Sequence, residues 1–324
     1  MLVSVRHQSE PFNLRCPSYS IGGGTDRKHA KVGCVATALE QIVTYHRYPK
    51  ALKATLSGWT TDHYRIEDIK AGTPIDYDGI LPCYEAGRYN EHEADAVACL
   101  SYYCGVAAHM NWGLGESGAH LSNLEEDIKG AFGYPYVRYL CSTDYSPEQW
   151  QSLVDGELMA GRPILYAGYT SLMQGHAFVI DGKDERGFYH VNWGYGGNYD
   201  GYYDLAVLNT FENPDYPTEE GKWTGNFCLQ EMLVMGKENV NYDPDDKQKG
   251  EYPKLKVDSV VYSRLPDRNG YVTIDVFVRN LWADSVTAAV ELFTYSPEAE
   301  KPFRAADYVG MTGLKLAPMS QGRM

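Results

Sequence analysis

Apolar and polar positions along this chain change their period once, near residue 163. Before that point they recur at three- and four-residue spacing. In the stretch from Lys31 to Pro49, Val35, Leu39, Ile42, Val43 and His46 fall on one face, which predicts a helix. Gly33 lets the backbone turn sharply before it, and Pro49 pushes Tyr48 out of helical conformation and stops it. Residues 91–105 predict a second helix that buries Ala94, Val97, Ala98 and Cys99. Residues 121–130 predict a third, with Ser122 and Glu125 spaced as a capping box. Ser146-Pro-Glu-Gln149 opens a fourth, carried through Trp150, Leu153 and Leu158 to Gly161. From Pro163 the period is two. Strands are expected at 164–166, 175–182, 188–193, 201–207 and 227–234, the second and third forming a hairpin around 183–187. Residues 1–30 and 50–90 read as loop. Helices first and antiparallel strands second indicate an α+β domain in two lobes, helical and stranded, with a cleft between them.

Residues 237–253 carry a dense mix of charges around Pro244 and read as a linker. Beyond it the period-two pattern returns at 254–260, 271–279 and 288–293, with Val272, Ile274, Val276 and Val278 on one face. About 70 residues fall short of the roughly 100 of a full immunoglobulin-type sandwich. The expected organisation is therefore an α+β domain over 1–236, a linker over 237–253, and a small or truncated immunoglobulin-like β-sandwich over 254–324.

Composition narrows the function. At 324 residues, 44% apolar, the chain has material for a sizeable core and for two domains. A net charge of −14 argues against nucleic acid as a partner, since that requires a basic face. No apolar run reaches 18 residues, so no membrane span is expected. The first residues have no basic n-region and no long apolar segment, unlike a secretory signal. The seven cysteines contain no C-x-x-C pair, which disfavours both a zinc site and a dense disulfide scaffold, and the odd number leaves at least one free thiol. No metal or organic cofactor is expected. The 27 tyrosines and 32 glycines suit a secreted, loop-rich hydrolase.

Cys34 sits where the unpaired N–H groups and the positive end of the helix dipole converge, an arrangement that favours thiolate. A nucleophilic thiol needs a base and something to hold the base. Of the nine histidines, His46 lies within the cysteine helix and reads as packed core, while His7, His29, His63 and His92 lie in polar loops or on exposed faces. His190 shares a strand face with Asn192. His176 follows Gly175, where close approach of another backbone is possible, and begins an apolar strand at the lobe boundary. The side-chain carbonyl of Asn192 can accept an imidazole N–H, and Trp193 can shield that bond from water. Each feature alone has an ordinary structural explanation: a buried cysteine opening a core helix, a satisfied histidine at a strand end, an asparagine leading into the 194–197 turn.

Together, Gly33-Cys-Val-Ala-Thr-Ala38 with Gln41, Tyr45-His46 with Tyr48-Pro49, Gly175-His-Ala-Phe-Val-Ile-Asp-Gly182 and Phe188-Tyr-His-Val-Asn-Trp-Gly-Tyr-Gly-Gly197 closely resemble the streptopain family. That family comprises secreted bacterial cysteine endopeptidases of papain-like fold, and the resemblance runs from about Gln8 to Gly236. It implies Cys34 as nucleophile, His176 as general base and acid, and Asn192 and Trp193 as the pair beside the histidine. Gln8, in Gln8-Ser-Glu-Pro-Phe-Asn13, would line the oxyanion hole. It also implies polypeptide substrates with an apolar residue just upstream of the cleavage-site residue, a prodomain or prodomain-like inhibitor as partner, and a secreted or cell-surface location. There are three departures. Glu40 replaces a usually small residue, which should affect packing more than chemistry. Gln174, beside Gly175, stands where a small residue is common and alters the substrate cleft there. Tyr195 replaces a usual tryptophan, a mild change. Two other classes stay in view: a thiol-dependent acyltransferase or amidase using the same pair, and a non-catalytic surface-binding protein.

Overall fold

The computed structural model describes residues 2–20, 27–61, 63–113, 116–170, 174–208, 210, 227 and 229–240, and within 255–323 the backbone of five strands. The chain divides into two compact units, one of residues 1–142 with 147–247 and one of residues 143–146 with 248–324.

In the first unit a short ladder of β1 (Ser18–Ser20) and β2 (Arg27–His29) precedes α1 (Cys34–His46). After the irregular stretch up to residue 90 come α2 (Glu91–Ala107), the pair β3 (Asn111–Trp112) and β4 (Ser117–Gly118), and α3 (Leu124–Gly130). Then follow β5 (Tyr136–Cys141), α4 (Pro147–Met159), β6 (Ile164–Tyr169), β7 (Gly175–Lys183), β8 (Tyr189–Asn192), β9 (Gly201–Tyr203) and β10 (Leu229–Gly236). Six of these strands form one antiparallel sheet in the order β5-β10-β6-β7-β8-β9. The expected β7–β8 hairpin is present, with a register shift between Ile180 and Gly182. Strand β5 lies between the third and fourth expected helices, where no strand was read, and β10 inserts between β5 and β6, a pairing no local pattern announces.

The two faces of the sheet alternate as the pleat requires. Val137, Leu165, Ala167, Ala177, Val179, Leu233 and Met235 join Val35, Leu39 and Ile42 of α1 in a single core. On the other face lie Tyr166, Phe178 and Met232, where Trp150 of α4 donates its indole N–H to the Tyr166 hydroxyl at 2.6 Å.

Helix α1 is buried nearly all round, not on one stripe as its periodicity suggested; Glu40 and Gln41 are as enclosed as Leu39. Buried polar groups of this kind need partners, and the segment of residues 4–8 supplies them. The Ser4 hydroxyl donates to Gln41 Oε1 at 2.9 Å, and Arg6 Nε donates to Glu40 Oε2 at 2.8 Å with both side chains 1% exposed. The helix ends at His46, with Arg47 left-handed at φ 47°, two residues before Pro49. The capping box expected at Ser122 and Glu125 does not form; residues 121–123 make a 3₁₀ turn and α3 has no side-chain cap. A capping box occurs instead on α2, between Asn90 and Glu93.

In the second unit the described strands β11 (Leu255–Tyr262), β12 (Ile274–Asn280) and β15 (Gln321–Arg323) form one antiparallel sheet. Strands β13 (Val286–Phe293) and β14 (Tyr308–Leu316) form a second, antiparallel pair.

Candidate active site

The site is assembled on the first turn of α1. Gly33, its N-cap, holds φ 91° and ψ 137°, and a Cβ there would lie 2.5 Å from the Met110 side chain, so only glycine fits comfortably. Gly33 gives no side-chain cap and the first turn has no acidic residue, so the N-terminal N–H groups face no built-in carboxylate. Cys34, the first helical residue, is half-buried at the edge of the core. Gln8 is tied to the approach to the helix twice. Its backbone carbonyl accepts the Val32 N–H at 3.0 Å, and its Oε1 accepts the Gly33 N–H at 3.1 Å. With its oxygen committed to Gly33, the Gln8 amide can serve an oxyanion only through its NH2 end.

His176, 4% exposed, is the second residue of β7 and lies opposite Gly168 of β6. Its Nε2 is 2.8 Å from the carbonyl oxygen of Trp193. A carbonyl oxygen only accepts, so Nε2 carries the proton and Nδ1 is the basic nitrogen. The ring is stacked on Tyr195 at 4.6 Å and lies 6.1 Å from both Trp193 and Phe178. Tyr195 is thus an immediate neighbour of the imidazole, a closer role than the mild substitution its position suggested. Burial lowers the His176 pKa to about 4, partly opposed by the Trp193 carbonyl, and so works against the imidazolium that an ion pair with Cys34 requires.

The bond expected between Asn192 and the imidazole is replaced by another arrangement. Asn192 Nδ2 donates to the Ser4 carbonyl at 2.9 Å, and its Oδ1 accepts the Gly194 N–H at 3.1 Å. The amide is drawn away by the segment of residues 4–8, and the backbone of Trp193 holds the histidine in its place. Trp193 itself is buried, packed against Phe178 at 4.5 Å and edge-on to Tyr203 at 5.3 Å.

The mouth of α1 and the His176 corner approach each other at two places. A Cβ on Gly194 would lie 3.2 Å from Cγ2 of Thr37, one turn along from Cys34. Tyr169, the cross-strand partner of Gly175, lies near enough to Cys34 that a thiolate charge there adds to the rise of its hydroxyl pKa, which burial dominates. The close approach at Gly175 is to this ring, 2.7 Å from a Cβ, and not to a backbone. Gln174, just before β7, bonds Thr170, just after β6: its backbone carbonyl accepts the Thr170 N–H at 2.9 Å and its own N–H donates to Thr170 Oγ1. Tyr169 was not singled out by the sequence; its place at the site comes from the sheet register that sets it opposite Gly175.

Two other histidines have clear partners, and His29 ends β2 where a loop or exposed face was expected. His46 is buried, its Nδ1 3.1 Å from the Tyr134 hydroxyl, which itself donates to the Tyr48 carbonyl. His190 pairs with Asp181 at 2.6 Å. Among the described residues, no cluster of three or more His, Cys, Asp or Glu side chains could hold a metal ion, six cysteines are free thiols, and no helix is long and apolar enough to cross a membrane.

A half-buried cysteine at a helix N-terminus, with a strand-borne histidine held in one tautomer on the antiparallel sheet behind it, is the ground plan of papain-like thiol hydrolases. The peptidase C10 family model matches residues 7–203, and the chain belongs to that family. It is 37% identical over 215 residues to streptopain of Streptococcus pyogenes serotype M28, covering 63% of this chain and 54% of that protein. It is 28% identical over 239 residues to the thiol protease/hemagglutinin PrtT of Porphyromonas gingivalis, covering 71% of this chain and 25% of that one. The chain spans about half the length of the streptopain sequences it matches. The structure of active interpain A cysteine protease from Prevotella intermedia is 32% identical, with a TM-score of 0.61 over 72% of this chain and 92% of that one. A prointerpain A fragment of the same organism is 31% identical, with a TM-score of 0.59 over 75% of this chain and 72% of that one.

Proposed function

We propose that this chain is a secreted bacterial cysteine endopeptidase in which Cys34 is the nucleophile and His176 the general base and acid. The observation that carries the reading is the tautomer of His176. The bond from Nε2 to the Trp193 carbonyl leaves Nδ1 to take the Cys34 proton. In this mechanism the proton passes from Sγ to Nδ1, and the imidazolium, costly in its buried setting, is offset by the thiolate facing it. The sulfur attacks the peptide carbonyl, and the oxyanion is stabilised by the Cys34 N–H and the Gln8 NH2 group, each such donor contributing about 3–4 kcal/mol. Nδ1–H then protonates the leaving amine, which departs as the new N-terminus. Water, deprotonated by the same nitrogen, cleaves the thioester and restores the thiol.

Asn192 and Trp193 act here through the backbone turn that they shape. Gln174 and Gly175 line the substrate cleft beside His176, and substrates are polypeptides with an apolar side chain just upstream of the cleavage-site residue. The prointerpain relationship supports a prodomain, or an inhibitor shaped like one, as the partner that blocks the cleft. Residues 254–324 are proposed to form a small immunoglobulin-like β-sandwich that follows the protease domain of residues 1–236 after a linker at 237–253.

The test is hydrolysis of an unfolded protein by the wild type, Cys34→Ala and His176→Ala. Cleavage by the wild type alone supports the endopeptidase. Turnover of small amides without protein cleavage would replace it with the amidase reading, and equal inactivity of all three would remove the catalytic reading.

A further inference from the structure

Strand β9 is preceded by an aspartate whose carboxylate reaches back to the peptide next to the histidine. Asp200 Oδ1 accepts the Trp193 N–H at 2.8 Å. The carbonyl of that same Trp193 takes the His176 Nε2 proton at 2.8 Å. The peptide unit joining Trp193 to Gly194 is held at both ends, since its N–H donates to Asn192 Oδ1 at 3.1 Å while its oxygen serves His176. Rotating this peptide plane would break both bonds at once. The hinge for such a rotation is available, because Gly194 has φ 72° and carries no side chain to resist it. Asp200 secures the other side of Trp193, at the preceding peptide unit. Held there, the nitrogen and Cα of Trp193 are anchored by a charge-assisted bond, so the carbonyl that serves His176 projects from a fixed point.

We propose that Asp200 is a positioning residue: by holding the Trp193 N–H it keeps the Trp193 carbonyl aimed at Nε2 of His176, and so maintains the tautomer in which Nδ1 is basic. This rests on the reading of Cys34 and His176 as the catalytic pair. The carboxylate is half-buried, and burial raises its pKa, a cost that a carboxylate at a turn open to water would not incur. The charged groups facing it are His190 and Asp181, themselves paired at 2.6 Å. The requirement on residue 200 is an acceptor oxygen at that place, not a charge. Asparagine therefore meets it and alanine does not.

The experiment compares wild type, Asp200→Ala and Asp200→Asn, each normalised by active-site titration with an irreversible thiol-protease inhibitor. Turnover per titrated site should fall about 10- to 100-fold in Asp200→Ala with KM nearly unchanged, as expected when a reacting group is misplaced by a fraction of an ångström to an ångström. Asp200→Asn should recover most of it. Unchanged turnover per site in Asp200→Ala, or an equal loss in Asp200→Asn, overturns the proposal. If Asp200→Ala does not fold, Asp200→Leu, similar in shape to aspartate but without an acceptor, takes its place in the same comparison. A separate readout needs no turnover: with ¹⁵N-histidine, the protected Nε2–H signal of His176 should persist in wild type and Asp200→Asn and be lost in Asp200→Ala. Its persistence in all three overturns the assignment. Inactivity of the wild type together with Cys34→Ala would sink the catalytic reading alone, and the histidine signal would still decide the role of Asp200.

Discussion

His176 gives its Nε2 proton to the backbone carbonyl of Trp193, 2.8 Å away, and not to the side chain of Asn192. The asparagine contributes one bond removed, by accepting the Gly194 N–H and donating to the Ser4 carbonyl. Asn192→Ala should therefore lower kcat about tenfold with little change in KM, through a loosened 193–194 peptide. The histidine should keep its tautomer in most molecules. Steady-state kinetics beside a ¹⁵N-histidine spectrum checks both; complete loss of the Nε2–H signal would show that the side chain holds the ring directly.

Arg6 and Glu40 form an ion pair almost wholly removed from water, reinforced by the Pro82 carbonyl at 2.8 Å from Arg6 and the Thr44 hydroxyl at 2.8 Å from Glu40. Removing one partner strands the other charge, so Glu40→Ala should cost about 3–5 kcal/mol in urea unfolding. The double variant Arg6→Met/Glu40→Leu should be far closer to wild type, since two apolar chains satisfy each other. Equal destabilisation of the single and the double variant would contradict this.

At Gly33 the clash with Met110 involves the end of a flexible side chain, whereas the backbone angle cannot be relieved. Gly33→Ala should cost about 1–3 kcal/mol for the strained conformation, and adding Met110→Ala should recover little of it. Thermal unfolding of the two variants measures the difference. Full recovery in the double variant would assign the cost to packing.

His46 should give the fold an acid limit. Burial, with Lys237 and Arg162 adding to it, lowers its pKa to about 4, against an ordinary value of 6.5. The unfolded chain then binds the proton more readily than the folded one. Stability is complete above about pH 6.5 and declines as pH falls toward 4, by about 3 kcal/mol for this group. Urea midpoints measured from pH 7 to pH 4.5 should fall, and the fall should be shallower in His46→Gln. An unchanged slope in that variant would remove His46 as the cause.

What could be read from the sequence was what is local. The helix opening at Cys34, the hairpin carrying His176 and Asn192, and the glycine at 33 all announce themselves by period or by backbone requirement. The partner of the histidine did not, because it was settled by residues 4–8, which reach Asn192 across nearly the whole domain. For the same reason Glu40 read as a packing oddity: its counter-charge lies 34 positions away. Strand β10 closes the sheet between β5 and β6, and the partner of a strand is not written in its own alternation. Tyr169 and Tyr195 became neighbours of the site through sheet register and a turn, neither of which a residue type reveals.

The most direct test of the account is the rate at which Cys34 is alkylated by a small neutral reagent, compared with the exposed Cys83 of the same chain and repeated in His176→Ala. The account predicts that Cys34 reacts much faster than Cys83 near neutral pH, with one equivalent incorporated, and that the advantage disappears when His176 is removed. A Cys34 that reacts no faster than Cys83, or that stays equally fast without His176, would contradict it.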